Sequence, residues 1–335
     1  MAALGEATPG LPRFVERWPW IGGDLQTLRN SLLRPRIDLP SAATLRHEID
    51  LGDGTGDRLL ALVDQPRAPA RDAAAVVLVH GLTGCSESSY MRASAAALLG
   101  RGHVVMRLNL RGAGPGRPMA RGHYNAGSSA DLAAALQRLP DALRDRRIVV
   151  VGYSLGANIL LKHLGEAGRE AHSAAAVGVS VPIDLAAASR RLMAPRNAVY
   201  HRYLLRRMKV DRLASAEPPS PALRALLRNI ADIRDFDDRV VAPAAGHRDA
   251  DAYYARSAAR GFLAGIHTPT LLVQAVDDPW IPIHAFRTMD WSKLRAIIPV
   301  LAAGGGHVGF HGRGDATPWH DRAIAWFLRR QGLAG

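Results

Sequence analysis

The chain has 335 residues, 48% of them hydrophobic, enough to bury a substantial core within one elaborated domain. Its net charge of +13 invites a nucleic-acid partner, but no zinc-finger spacing, RNP sequence or aromatic-interleaved basic run accompanies it, and no nucleic acid is expected. No run nears the roughly 18 apolar residues of a membrane span, and the one cysteine, Cys85, excludes an internal disulfide, so a cytoplasmic protein without stable membrane insertion is expected.

In chain order, residues 1–45 read as an N-terminal extension packed on the core, carrying Trp18-Pro19-Trp20 and Leu25-Gln26-Thr27-Leu28. Its first 35 residues lack the basic start and apolar core of a secretory leader. Arg46 to Leu51 and Arg58 to Val63 flank Gly52-Asp53-Gly54-Thr55-Gly56, which predicts a hairpin. From Ala74 the pattern alternates. Strands are predicted near 74–80, 104–109, 148–152 and 175–181, and helices near 90–100, 128–139 and 155–165. The alternation resumes near 269–276, 284–290, 295–301 and 318–330. Such a rhythm specifies a mainly parallel central sheet flanked by helices. Residues 185–262 interrupt it with arginine-rich helical patterns and with Pro218, Pro219 and Pro221. They are expected to form a helical cap over a core of 46–184 and 263–335. Tyr200, Tyr203, Tyr253 and Tyr254 suit either a substrate channel or the interior of the cap.

Chemistry enters at Gly152-Tyr153-Ser154-Leu155-Gly156, between the apolar run Arg147 to Val151 and the helical pattern from Ala157. A serine hydroxyl is a weak nucleophile until a sharp corner exposes it and a base takes its proton. Glycine on either side lets strand and helix approach at that corner. Two further strand-like runs end in Asp277-Asp278-Pro279 and in Gly304-Gly305-Gly306-His307. Serine, acid, histidine, each behind a strand, is the chain order of the α/β-hydrolase triad. Upstream, the run Ala74 to Val79 ends in His80-Gly81-Leu82-Thr83-Gly84, the turn that supplies an oxyanion-hole N–H in that fold. The two donors fall on Leu82 and Leu155.

Asp278 precedes the short apolar stretch ending in Pro282 and is the preferred acid, with Asp277 as its competitor and as a cap of the turn. Among 13 histidines, His307 alone follows the last strand in a supple loop. His311 reads as a solvated loop residue, His80 as a brace of the oxyanion turn, and His163 as structural. Cys85 reads as a small residue tolerated in a tight loop.

With these residues in place, the chain resembles the YheT-like branch of the α/β-hydrolases over most of its length. The resemblance is carried by Leu25-Gln26-Thr27, His80 to Gly84, Asn109-Leu110-Arg111-Gly112, Gly152 to Gly156 with Asn158, Arg234-Asp235-Phe236-Asp237-Asp238 and His307-Val308-Gly309-Phe310. One departure is Gly22-Gly23-Asp24 where the family has Asn-Pro-His before Leu-Gln-Thr; another is Cys85 in place of a smaller residue. The resemblance implies a cytoplasmic carboxylic ester hydrolase acting on small-molecule or lipid-like esters. It is expected to work through an acyl-enzyme on Ser154, with no metal or organic cofactor. The same acyl-enzyme could serve an acyltransferase, and a non-catalytic binding protein on this fold is the contrasting class.

Overall fold

In the computed structural model, which describes residues 9–33, 35–214 and 218–334, eight strands form one sheet in the order β1-β2-β4-β3-β5-β6-β7-β8. They are β1 (Ser41–Asp50), β2 (Arg58–Pro66), β3 (Ala75–Val79), β4 (Val105–Asn109), β5 (Ile148–Tyr153), β6 (Ala175–Val179), β7 (Thr270–Ala275) and β8 (Ile297–Ala302). The six strands from β3 to β8 pair in parallel, and the β1–β2 hairpin joins β4 antiparallel. Strands β3 to β7 are buried along their whole length, as their mostly apolar sequences suit a sheet covered on both faces. The helices Ser89–Leu99 and Trp319–Arg330 cover one face; Ser129–Gln137 and Leu155–Ala167 cover the other.

The edge strand β1 begins at Ser41, five residues before the expected run. Only one of its residues, Ile49, is an apolar core residue, so its alternation is hardly visible in the sequence. The pattern near 284–290 yields a helix of four residues, His284–Arg287.

Residues 185–262 leave the sheet after β6 and return to it at β7. Four helices dominate this segment: Leu185–Met193, Ala198–Leu213, Pro221–Asn229 and Ala250–Ser257. Leu204, Leu205, Met208, Leu227, Ile233 and Phe236 give it a core of its own. The Arg234-to-Asp238 string knits these helices together. Arg234 forms a bidentate ion pair with Asp251, at 2.7 and 2.8 Å. Tyr254 donates to Asp237, and Asp238 accepts from the N–H of Ala250. Among the described residues no helix is long and apolar enough to cross a membrane.

Candidate active site

The parallel strands present their carboxyl ends along one edge of the sheet, where helix N-termini and loops converge. Ser154 follows β5 with φ +50° and ψ −120°, a left-handed conformation unusual for serine. Its glycine neighbours are closely packed. A Cβ on Gly156 would lie 2.3 Å from the carbonyl oxygen of His80, and one on Gly81 would lie 3.0 Å from Ser154 Cβ. The expected corner is therefore present, with the His80-to-Gly84 turn pressed against it.

From β8 comes His307. Its Nε2 lies 2.9 Å from Ser154 Oγ, and its Nδ1 lies 2.9 Å from Asp278 Oδ2. The Asp278 carboxylate also accepts from the backbone N–H groups of Trp280 and Ile281 and from Gln274 Nε2. Trp280 lies over the imidazole with centroids 4.3 Å apart. Asp278 and His307 are both buried. Between the competing acids, Asp278 is the one that meets the histidine. Asp277 does not cap its own turn alone: its Oδ1 accepts from the Gly306 N–H, tying the acid loop to the histidine loop. Burial raises the Asp277 pKa, partly offset by that hydrogen bond.

The N–H groups of Leu82 and Leu155 have no hydrogen-bond partner among the described residues, whereas those of the neighbouring Thr83, Gly84 and Ser154 do. His80 braces the turn as expected. Its Nε2 accepts from the Leu110 N–H and its Nδ1 faces the Gly81 carbonyl, which fixes a neutral tautomer. Burial lowers its pKa to about 4. Cys85 is half-buried in the same loop. His163 is buried on the helix behind Ser154.

His311 departs from expectation. It is buried rather than solvated, its backbone is bonded to Gln26 and Arg17, and burial is the main cause of a pKa lowered to about 3. Its Gly-rich flanks suggest an exposed loop, but the N-terminal segment covers them. Four supporting residues were not singled out by the sequence as part of the site: Thr27, Ser180, Gln274 and Trp280. Of these, Thr27 carried a sequence signal through the Leu-Gln-Thr string, and Trp280 through the apolar stretch after Asp278.

A cavity of about 680 Å³ opens beside Leu82 and Leu155. Met208, Phe236, Val240 and Tyr253 wall it from the 185–262 side, and it runs to Arg111 and Asp57 beyond β4. From β5 to β2 is three strand steps, about 14 Å. The cavity therefore lies on the side of Ser154 opposite the acid and the histidine. Of the four tyrosines, Tyr253 lines this cavity, Tyr200 and Tyr254 are buried, and Tyr203 is exposed.

Residues 74–313 match the family model described as alpha/beta hydrolase fold. The chain belongs to the YheT-like α/β-hydrolases. The Escherichia coli (strain K12) protein provisionally named as the esterase YheT is 32% identical over 291 residues, 86% of this chain and 84% of its own. Phospholipase ABHD3 of Mus musculus is 27% identical, covering 88% of this α/β-hydrolase and 72% of the relative. The monoacylglycerol lipase of Saccharomyces cerevisiae is 27% identical over 79% and 61%. Among solved structures, Pyrococcus furiosus esterase Pf2001 superposes with a TM-score of 0.57 at 16% identity, covering 96% of this chain and 99% of its own. At that identity the likeness speaks for the α/β-hydrolase fold.

Proposed function

We propose that this α/β-hydrolase cleaves carboxylic esters through an acyl-enzyme on Ser154. The observation that carries the reading is the imidazole of His307, 2.9 Å from the serine hydroxyl on one side and 2.9 Å from the Asp278 carboxylate on the other. Ser154 Oγ attacks the ester carbonyl as His307 Nε2 takes its proton. The imidazolium, held by Asp278, then protonates the departing alkoxide. Water activated by the same nitrogen attacks the acyl carbonyl and releases the acid. The unpartnered N–H groups of Leu82 and Leu155 suit the tetrahedral oxyanion, a contribution of about 3–4 kcal/mol per donor in a comparable enzyme. Residues 185–262 act as a cap, and the cavity beneath them takes one arm of the ester. Its volume lies within the range of small-molecule sites. The esterase, lipase and phospholipase names of the relatives agree with an ester substrate, small or lipid-like.

Ser154→Ala is expected to lower kcat on a short p-nitrophenyl ester by about four to six orders of magnitude and to abolish labelling by a fluorophosphonate. Retention of most activity, or undiminished labelling, overturns the assignment.

A further inference from the structure

The loop carrying His307 is held by side chains rather than by secondary structure. Three successive backbone N–H groups donate to side-chain oxygens from three separate elements: Gly306 to Asp277, His307 to Thr27 Oγ1 at 2.8 Å, and Val308 to Ser180 Oγ at 3.1 Å. Val308 and Phe310 adopt φ of +56° and +52°, left-handed backbone that persists only where the surroundings over-determine it. The helix Gly23–Leu33 of the N-terminal segment supplies much of that determination.

This helix packs directly on both catalytic loops. A Cβ on Gly23 would lie 2.0 Å from the carbonyl oxygen of Asp277, beside the proposed acid. A Cβ on Gly306 would lie 2.3 Å from Gly23 O, and one on Gly309 would lie 2.4 Å from Gln26 O. Gln26 is fully buried. Its amide donates to the carbonyls of Trp20 and His311 and accepts from the His311 N–H. Thr27 donates its own proton to Gly23 O at 2.6 Å, so its oxygen lone pairs remain for the His307 N–H. The first turn also reaches the cap segment, where Asp24 accepts from Arg196 at 2.7 Å and from Tyr200 at 3.0 Å. Tyr200 in turn packs edge-on against the Trp280 ring that covers the imidazole.

We infer that Thr27, backed by Gln26, is a positioning residue for His307, and that the N-terminal helix is a splint holding the base against Ser154. The inference rests on the triad reading above, because a positioning role has meaning only if His307 acts on Ser154. In this chain the helix lies so near the Asp277 turn that a Cβ at position 23 would require one of the two to shift.

The test replaces Thr27 by Val, which keeps the shape and removes the acceptor, and by Ser, which keeps the hydroxyl. A displacement of about 1 Å in the base can cost on the order of a hundredfold in rate. Thr27→Val is therefore expected to lower kcat on p-nitrophenyl butyrate by about ten- to a hundredfold with KM changed less than about threefold. Fluorophosphonate labelling should slow in parallel, and Thr27→Ser should restore both. Should the valine variant fail to fold by near-UV circular dichroism, Thr27→Ala is measured in its place. His307→Ala separates the two levels of the argument. If it keeps its activity, the triad reading fails. If it is inactive while folded Thr27→Val or Thr27→Ala works at the wild-type rate, or if the loss appears in KM alone, the splint is overturned and the triad stands.

Discussion

Ser154, with its positive φ, sits between Gly152 and Gly156, where a Cβ would lie 2.6 Å from Ala157 Cα and 2.3 Å from the His80 carbonyl oxygen respectively. That local geometry was legible in the sequence, because glycine, serine and glycine at this spacing have few other uses between a strand and a helix. The acid was legible only as a preference, the stretch from Pro279 to Pro282 favouring Asp278. Asp277 and Asp278 are adjacent, and only the loop path decides which carboxylate faces the imidazole. Asp278→Asn is expected to lower kcat by about four orders of magnitude, as loss of the orienting carboxylate does in a comparable triad, through the wrong imidazole tautomer. Asp277→Asn keeps an oxygen that accepts from Gly306, so a drop below about tenfold is expected. Parallel steady-state kinetics on the two variants check this, and equal losses would contradict the division of roles.

At the scale of elements, the nucleophile strand and helix appear close to where apolar runs and glycines placed them, since both are buried and their patterns are strong. The 185–262 segment was legible as helical, yet its relation to the cavity was not, because sequence does not say which helix face turns inward. Phe236 and Val240 face inward together with Met208. Val240→Trp should fill part of the cavity. It is expected to lower kcat/KM for a p-nitrophenyl decanoate-type ester by roughly tenfold or more while leaving the acetate within about threefold. A chain-length series measures this, and an unchanged profile would place the substrate arm elsewhere. The overpacking itself should cost about 1–3 kcal/mol of stability.

For the molecule as a whole, two buried carboxyls far apart in the fold set a dependence of stability on pH. Asp321 lies in the helix Trp319–Arg330 behind the sheet and accepts from Ser94, which in turn accepts from Tyr153. Burial, offset only in part by Ser94, raises its pKa to about 7. Its neighbour His320 is kept neutral by burial, with a pKa lowered to about 3. Asp237 in the 185–262 segment is likewise raised to about 7 by burial, against the hydrogen bond from Tyr254. In the unfolded chain both carboxyls lose their protons near pH 4, whereas the folded protein holds them until about pH 7. The contribution is therefore complete below pH 4, falls as pH rises from 4 to 7, and is lost above that. Asp321→Asn cannot ionise, so the drop in urea-unfolding free energy between pH 5 and pH 8 should shrink by on the order of 2 kcal/mol. Asp237 should leave a residual slope. An unaltered drop in the variant would refute the account.

The sequence by itself determined the parallel strands of the sheet, the chain order of Ser154, Asp278 and His307 proposed as nucleophile, acid and base, and the turn that faces them, because each of these is written in contiguous residues: apolar periodicity, paired glycines, a loop after a strand. Tertiary structure alone decided what holds the proposed base, His307, in place. Thr27 reaches His307 across 280 positions, Gln26 reaches His311 across 285, and Ser180 reaches Val308 across 128. Those contacts join segments with no shared local pattern, and they turned His311 from an expected surface residue into a buried one. A hydrogen bond between distant segments leaves no periodicity behind. It exists only once folding has brought the N-terminal helix down onto the last loop.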